Sequence, residues 1–171
     1  MVGDFVRDKD AITSALVACE VGSECKSMGI NLIDYLIDCY IKYGFFKEKL
    51  ISVEKKGAEG LKEISSIMNK LRNSKIKSLD GSKLISFKDF QSSLEINQIN
   101  GKINNLDFPK SNVLIFESED GTTVAARPSG TEPKIKFYFS VNTILKSKED
   151  YERVNQILNN KIVNLTKEFN F

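Results

Sequence analysis

The sequence predicts an α+β protein in which an antiparallel sheet carries helices packed on one face. Three observations predict this fold class. The segment 112–126 contains two apolar runs separated by an Asp-Gly turn, which is typical of a β-hairpin. Apolar residues recur every three or four positions after Gly60 and again near the C-terminus, which indicates amphipathic helices. A further pair of helical segments precedes the first predicted strand.

This leading pair occupies residues 1–44. Residues 8–28 repeat apolar side chains (Ile12, Ala15, Leu16, Cys19) at helical spacing, and Gly29 is a suitable C-cap. Asn31 is a natural N-cap for a second helix that ends at Gly44. Two helices alone bury little, so they are typical of the end of a larger domain. We therefore place a domain boundary before Phe45, which gives units 1–44 and 45–171.

The unit 45–171 is predicted to mix strands and helices. A strand at 45–53 is followed by a helix that ends near Asn73, with Leu61, Ile64, Ile67, Met68 and Leu71 on its apolar face. Between Lys75 and Pro109 the pattern is broken by glycine, serine and asparagine, so we expect short strands with long loops. The remaining predicted elements are strands at 82–90, 112–117, 122–126 and 135–141 and a helix at 148–169, with Tyr151, Val154, Leu158, Ile162 and Leu165 facing inward.

Composition excludes several classes of function. The formal net charge is only +2, whereas nucleic-acid-binding proteins are usually strongly basic, so we expect no nucleic-acid partner. No apolar run is long enough to span a membrane and the N-terminus has no apolar signal core, so we expect a cytoplasmic protein without a membrane partner. The chain has no histidine, which removes Ser-His-Asp and Cys-His nucleophilic sites and histidine-ligated metals.

The three cysteines, Cys19, Cys25 and Cys39, lie on the two leading helical segments. An odd number in this position favours reduced thiols over a disulfide framework. We expect them to be buried or half-buried side chains without a chemical role.

The most informative stretch is Arg127-Pro128-Ser129-Gly130-Thr131-Glu132-Pro133, which joins two predicted strands. The two prolines fix φ on either side, and glycine permits backbone angles that other residues avoid. Successive N–H groups of such a turn can form a concave nest, to which the serine and threonine add hydroxyl donors. Arg127 offers a planar fork that matches phosphate oxygens. These features predict an anion-binding loop, although an ordinary hairpin turn with a surface arginine explains the same residue types.

The whole string closely resembles the phosphate-binding loop of the α-D-phosphohexomutase superfamily, which contains phosphoglucomutases and phosphomannomutases. In that family the loop lies in the fourth and last domain, and the resemblance implies a fold like that of the TATA-box-binding protein. By this resemblance 45–171 corresponds to the fourth domain, and 1–44 to the helical end of the third, an α/β domain. The substrate phosphate is expected to contact Arg127, Ser129, Gly130 and Thr131.

Two other segments resemble the same family. The run Phe5-Val6-Arg7-Asp8-Lys9-Asp10-Ala11 is similar to a third-domain segment whose lysine faces the active-site cleft, so the resemblance implies a substrate contact for Lys9, and a weaker one for Arg7. Without it, Asp8 would be interpreted as a helix cap and Lys9 as a solvated charge. The run 55–60, Lys-Lys-Gly-Ala-Glu-Gly, looks like the start of the fourth domain's first helix and has no assigned chemical role.

Lys134 and Lys136 follow the loop on one face of the next predicted strand, where several family members carry an arginine that touches phosphate. Either lysine is a candidate phosphate ligand as a point charge, and a solvated sheet face is the alternative. Glu132 is expected to be structural, holding the turn by accepting hydrogen bonds from the backbone or from a lysine.

The resemblance implies an enzyme that interconverts hexose 1-phosphate and 6-phosphate through a phosphoserine and a 1,6-bisphosphate, with glucose or mannose as the sugar. The nucleophilic serine loop, the Mg²⁺ loop and the sugar-selecting loop of that family are not found in this sequence. We therefore expect a C-terminal piece that holds the phosphate that does not react, closes the cleft, and lacks catalytic and metal-binding residues of its own. The chain alone is not expected to catalyse this interconversion.

Two further possibilities remain open from the sequence. One is a free-standing, non-catalytic module that binds phosphate or phosphosugars, and the other is a structural domain with no ligand. The apolar faces of the leading helices are also expected to be exposed and to pair between copies of the chain.

Overall fold

The computed structural model describes residues 3, 6 and 8–169, apart from the side chain of Ala58. This part of the chain forms four helices and eight strands, which confirms the predicted α+β class. The helices are α1 (Ala11–Ser27), α2 (Leu32–Tyr43), α3 (Gly57–Arg72) and α4 (Tyr151–Glu168). The strands are β1 (Phe45–Glu54), β2 (Ser78–Leu79), β3 (Ser82–Asp89), β4 (Leu94–Asn97), β5 (Ile103–Asn105), β6 (Leu114–Ser118), β7 (Thr123–Pro128) and β8 (Lys134–Thr143).

The strands form one sheet in the order β1-β8-β7-β6-β3-β4-β5, and β2 pairs with β3. Strands β6, β7 and β8 are joined antiparallel to one another, with Phe116 opposite Val124 and Val124 opposite Phe139. The predicted Asp-Gly turn connects β6 to β7, and Gly121 there has a φ of 82°. Apolar and polar residues alternate along these strands, so that one face of the sheet is buried. In β8, buried Ile135, Phe137 and Phe139 alternate with more exposed residues.

The inner face of the sheet is covered by helices. In α3, Ile64 and Met68 are buried, and α4 buries Val154, Leu158, Ile162 and Leu165, as predicted. Phe169, just after α4, makes edge-on ring contacts with Phe116, Phe137 and Phe139. The apolar face predicted for α3 is wrong at Leu61, which is exposed, because the buried stripe of this helix is narrower than the sequence pattern indicates.

Capping residues define the ends of the two leading helices. Asp10, not Asp8, caps α1, since its carboxylate accepts a hydrogen bond from the Thr13 N–H at 3.0 Å. The helix ends in a Schellman motif, in which the Ile30 N–H donates to the Cys25 carbonyl around Gly29 at φ 71°. The Asn31 side chain caps α2, as predicted.

Much of the apolar surface of these helices faces outward. The exposed residues are Ile12, Leu16, Met28, Leu32, Ile33, Leu36 and Tyr43. This exposure agrees with the expectation from the sequence that the apolar faces of the leading helices are exposed, and it includes Ile12 and Leu16 of α1. All three cysteines are free, but Cys19 is exposed, contrary to expectation, whereas Cys25 is buried and Cys39 half-buried.

The chain divides into two compact units. One contains residues 1–45 with 144–151, and the other contains 46–143 with 152–171. The assignment of these units to particular domains of the phosphohexomutases stays a prediction. None of the helices formed by the described residues combines the length and apolar character that crossing a membrane requires.

Candidate anion-binding site

A cavity of about 330 Å³ lies at the loop between β7 and β8. Residues 129–133 form this loop, so the sheet is interrupted where the sequence places the anion-binding motif. The cavity lies within the unit that contains the sheet. It is lined by Arg127, Pro128, Ser129, Gly130, Thr131, Glu132, Lys134, Lys136 and Tyr138.

The loop is held by its own hydrogen bonds. The Ser129 N–H donates to the Lys134 carbonyl at 2.8 Å, and the Lys134 N–H donates to the Glu132 carbonyl at 2.8 Å. The Ser129 hydroxyl oxygen accepts from the N–H groups of Glu132, at 3.2 Å, and Thr131, at 3.5 Å. A serine that starts a turn commonly accepts in this way from residues two and three positions on. Two N–H groups of the expected nest therefore point at Ser129 in this structure.

Gly130 differs from the sequence expectation in its backbone. Its φ lies outside the left-handed range, so the turn does not require glycine for conformational reasons. A Cβ built on Gly130 meets no atom within 4 Å. The space beside the Gly130 Cα is therefore open, and glycine is not needed there to relieve strain.

Two cations face each other across the strands that flank the loop. Arg127 on β7 and Lys136 on β8 are direct cross-strand partners. Like charges in directly opposite positions destabilise a sheet. Among the described residues, neither side chain has a carboxylate as an ion-pair or hydrogen-bond partner. An anion between the two side chains would remove this repulsion.

The cavity contains one carboxylate. Glu132 forms an ion pair with Lys134, whose Nζ lies 2.5 Å from Oε2. The hydrogen bond from Lys134 lowers the pKa of Glu132, and the nearby charge of Lys136 acts in the same direction. The same hydrogen bond raises the pKa of Lys134. With three cations (Arg127, Lys134, Lys136) and one carboxylate, the lining residues carry a net charge of +2 at neutral pH.

Tyr138 was not selected from the sequence. It lines the cavity, is 41% exposed, and lies opposite the small Ala125 on the same outward face as Lys136. The sequence does contain a signal for Tyr138. It follows Lys134 and Lys136 at every second position of the strand, so all three side chains lie on the face opposite the buried residues. An aromatic ring in a charged cavity offers a flat apolar surface to a ligand.

Two residues of the leading unit, Lys9 and Arg7, are predicted from the sequence to contact substrate. Lys9 lies just before α1, where its exposed ammonium pairs with the adjacent Asp8 at 3.0 Å. Arg7 lies outside the described residues. Within residues 3, 6 and 8–169, no group of three or more His, Cys, Asp or Glu is arranged to hold a metal ion.

The described unit is thus an α+β domain with a cationic loop pocket at one end of its sheet. No family model matches the chain. The chain is similar to curated phosphoglucomutases: 34% identical over 160 residues to that of Staphylococcus epidermidis (94% of this chain, 28% of the relative) and 36% identical over 156 residues to that of Staphylococcus aureus (91% and 27%). The chain belongs to the α-D-phosphohexomutase superfamily and corresponds to the C-terminal part of its members.

The chain spans little more than a quarter of the length of these relatives. A crystal structure of the exocytosis-sensitive phosphoprotein pp63/parafusin, a phosphoglucomutase from Paramecium in an open form, is similar at 12% identity with a TM-score of 0.47, over 96% of this chain and 28% of that one. This structural similarity is weak, so the family assignment depends on the sequence matches.

Proposed function

We propose that this chain provides the phosphate-holding part of a phosphoglucomutase or phosphomannomutase, an intramolecular phosphotransferase acting on hexose 1- and 6-phosphates. The cavity at the β7–β8 loop would hold the phosphate that does not react. The observation that carries the proposal is the cross-strand pair of Arg127 and Lys136. These two cations lie opposite each other, and among the described residues neither forms an ion pair or hydrogen bond with a carboxylate. Such a pair costs stability unless an anion occupies the site.

Five of the lining residues have a chemical task in this proposal. The Arg127 guanidinium would bind two phosphate oxygens as a fork, and Lys136 would add a point charge. The hydroxyl groups of Ser129 and Thr131 would donate to further oxygens. Open space above Gly130 lets the phosphate approach the backbone. Held in this way, the phosphate would fix the position of the distant reacting hydroxyl of the sugar.

Other features of the intact enzyme belong to the same proposal. Lys9 and Arg7 would contact the substrate, and phosphate binding would help to close the cleft. The phosphoserine and Mg²⁺ expected from the family would be supplied by other parts of the protein.

Titration of the chain with inorganic phosphate tests the binding site. We expect amide chemical-shift changes at residues 129–131 and a weak, millimolar dissociation constant, because a single small anion is held by a few charge-assisted bonds. Arg127→Ala should weaken binding about tenfold or more. Lys102→Ala, which removes an exposed lysine from the β4–β5 turn, is the matched control and should bind like the wild type. Shifts spread evenly over the surface, or unchanged binding in Arg127→Ala, would contradict the proposal.

Gly130→Ala separates binding from folding. Because its Cβ meets no atom of the chain, the free energy of unfolding should stay within about 0.5 kcal/mol of the wild-type value. The added methyl group would fill the space proposed for phosphate, so affinity should fall several-fold. Undiminished affinity would exclude Gly130 from the contact.

An assay of the chain alone tests its place in the reaction. Conversion of glucose 1-phosphate to glucose 6-phosphate should not occur without added phosphohexomutase, since the proposed phosphoserine lies elsewhere. Robust turnover by the purified chain would refute the assignment as a non-catalytic part.

A further inference from the structure

The single carboxylate of the cavity has no task in phosphate binding. Resting on the proposed function and extending it, we propose that Glu132 is a built-in counter-ion that competes with phosphate for Lys134 and so limits the affinity of the pocket. Glu132 would act on the ligand through Lys134 rather than by touching it.

The contacts of Glu132 support this role. Its carboxylate pairs with the Lys134 ammonium and lies in the field of Lys136. The Glu132 side chain is 60% exposed, whereas that of Lys134 is 23% exposed. An ion pair open to solvent on one side contributes little to stability, so a ligand of higher charge can replace the carboxylate. A phosphate dianion has that higher charge.

The loop does not depend on the carboxylate for its shape. Residues 129–134 are held by the backbone bonds Ser129 N–H to Lys134 and Lys134 N–H to Glu132, and by the Ser129 hydroxyl. The Pro133 carbonyl is fixed separately by the Lys55 N–H at 2.8 Å. Among the described residues, no backbone N–H donates to the Glu132 carboxylate. The expectation that Glu132 holds the turn therefore has support only from its pair with Lys134.

A competing carboxylate suits a site that must release its ligand. In the proposed reaction the pocket holds one phosphate and later lets it go, and tighter binding of every bound state alike does not accelerate the chemistry. An internal anion that returns to Lys134 as the phosphate leaves would keep the empty pocket partly neutralised.

Glu132→Gln tests the inference directly. The substitution raises the net charge of the lining residues from +2 to +3 and leaves Lys134 available to the ligand. We expect inorganic phosphate to bind about three- to tenfold more tightly, the size expected of one charge interaction near a protein surface. The gain should shrink at high ionic strength, because screening weakens exposed charges. The melting temperature should fall only slightly, because an exposed ion pair contributes little to stability.

Glu119→Gln is the matched control. It removes the same charge at the turn that precedes β7, whereas the cavity follows the end of β7, so its phosphate affinity should equal that of the wild type. In a Lys134→Gln background, adding Glu132→Gln should increase phosphate affinity much less than it does in the wild type, because the proposed competition is for Lys134. A purely structural role would not give tighter binding or this coupling.

The outcomes are distinguishable. If the wild type binds phosphate and Glu132→Gln binds it equally or more weakly, the inference is overturned while the proposed function stands. If neither protein shows binding at residues 129–131, the proposed function fails, and this inference fails with it.

Discussion

The backbone N–H of Lys55 donates a 2.8 Å hydrogen bond to the carbonyl of Pro133. This bond ties the residue after β1 to the end of the anion-binding loop. Gly60, in the first turn of α3, lies against the same residue, because a Cβ built on Gly60 would be 2.8 Å from the Lys55 carbonyl carbon. The sequence assigns no chemical role to the run 55–60. In the structure, this run anchors the end of the loop through the hydrogen bond of Lys55 to Pro133.

We predict that Gly60→Ala destabilises the protein by about 1–3 kcal/mol, as expected when a methyl group is forced against backbone atoms. Lys55 must shift to admit the methyl group, which would loosen its bond to Pro133. Phosphate affinity should therefore fall together with the free energy of unfolding, measured by urea denaturation.

Gly22→Ala is the control for this substitution. Gly22 lies within α1 and a Cβ there meets no atom within 4 Å, so alanine should leave the stability equal or raise it slightly. A Gly60→Ala variant as stable as Gly22→Ala would show that the close contact with Lys55 is not maintained in solution.

A second support of the sheet unit is the ion pair between Arg72, at the end of α3, and Asp89, at the end of β3. Nε and Oδ2 are 3.0 Å apart, and the Asp89 side chain is only 7% exposed. Asp89 also accepts hydrogen bonds from the Ser92 hydroxyl and the Gln91 N–H. Asp89→Ala should cost about 1–3 kcal/mol of unfolding free energy, because Arg72, Ser92 and Gln91 lose the buried carboxylate that accepts their hydrogen bonds. The exposed Asp107→Ala serves as control, and equal stability of the two variants would contradict the prediction.

The sequence was most informative where local pattern and burial agree. Alternation predicts β6, β7 and β8 within two residues of their observed bounds, and the spacing of Val154, Leu158, Ile162 and Leu165 predicts the buried face of α4. Short strands β2, β4 and β5 were expected only in general. Strands β2 and β4 pair with β3, and β5 pairs with β4, so their formation depends on neighbouring strands rather than on their own two to four residues.

For the site, the motif places the loop and its residues, but it does not show how they interact. That Ser129 accepts the loop N–H groups, that Glu132 neutralises Lys134, and that Lys55 anchors Pro133 all depend on three-dimensional contacts. Lys55 lies far from the loop in sequence, so no local pattern indicates this contact. Tyr138 could have been predicted as a lining residue, because it lies two positions after Lys136 on the same face of the predicted strand.

The exposed apolar residues of α1 and α2 lead to a prediction about assembly. Leu16 on α1 is 59% exposed and Ile33 on α2 is 61% exposed. Because large exposed apolar surface favours association, we expect the chain to self-associate in a concentration-dependent way, measured by sedimentation velocity. Replacing both residues by lysine should shift the equilibrium to monomer. Ile99→Lys, at an equally exposed position of a turn, should not, and a wild type that is monomeric at every concentration would contradict the prediction.

Asp120, in the β6–β7 turn, makes the stability depend on pH. Burial by itself raises the pKa of its carboxyl group, but hydrogen bonds from Lys161, Ser118 and Thr122 outweigh burial and hold the pKa well below its usual range. The Ser118 hydroxyl donates to Oδ1 at 2.8 Å and the Thr122 N–H donates at 3.0 Å. Since the folded state prefers the charged carboxylate, this interaction stabilises the fold above the unfolded pKa of about 3.9 and is lost as the pH falls toward the folded pKa.

Asp120→Asn should therefore lower the free energy of unfolding by about 1–2 kcal/mol at pH 7, a value reduced from that of a fully buried charge because the side chain is 37% exposed. The difference from the wild type should narrow below about pH 4, where the unfolded carboxyl is protonated and the wild type begins to lose the same contribution. Urea denaturation of both proteins between neutral and acidic pH measures this. A difference that stays constant across that range would mean that the lost stability comes from packing or turn geometry and not from the charge of Asp120.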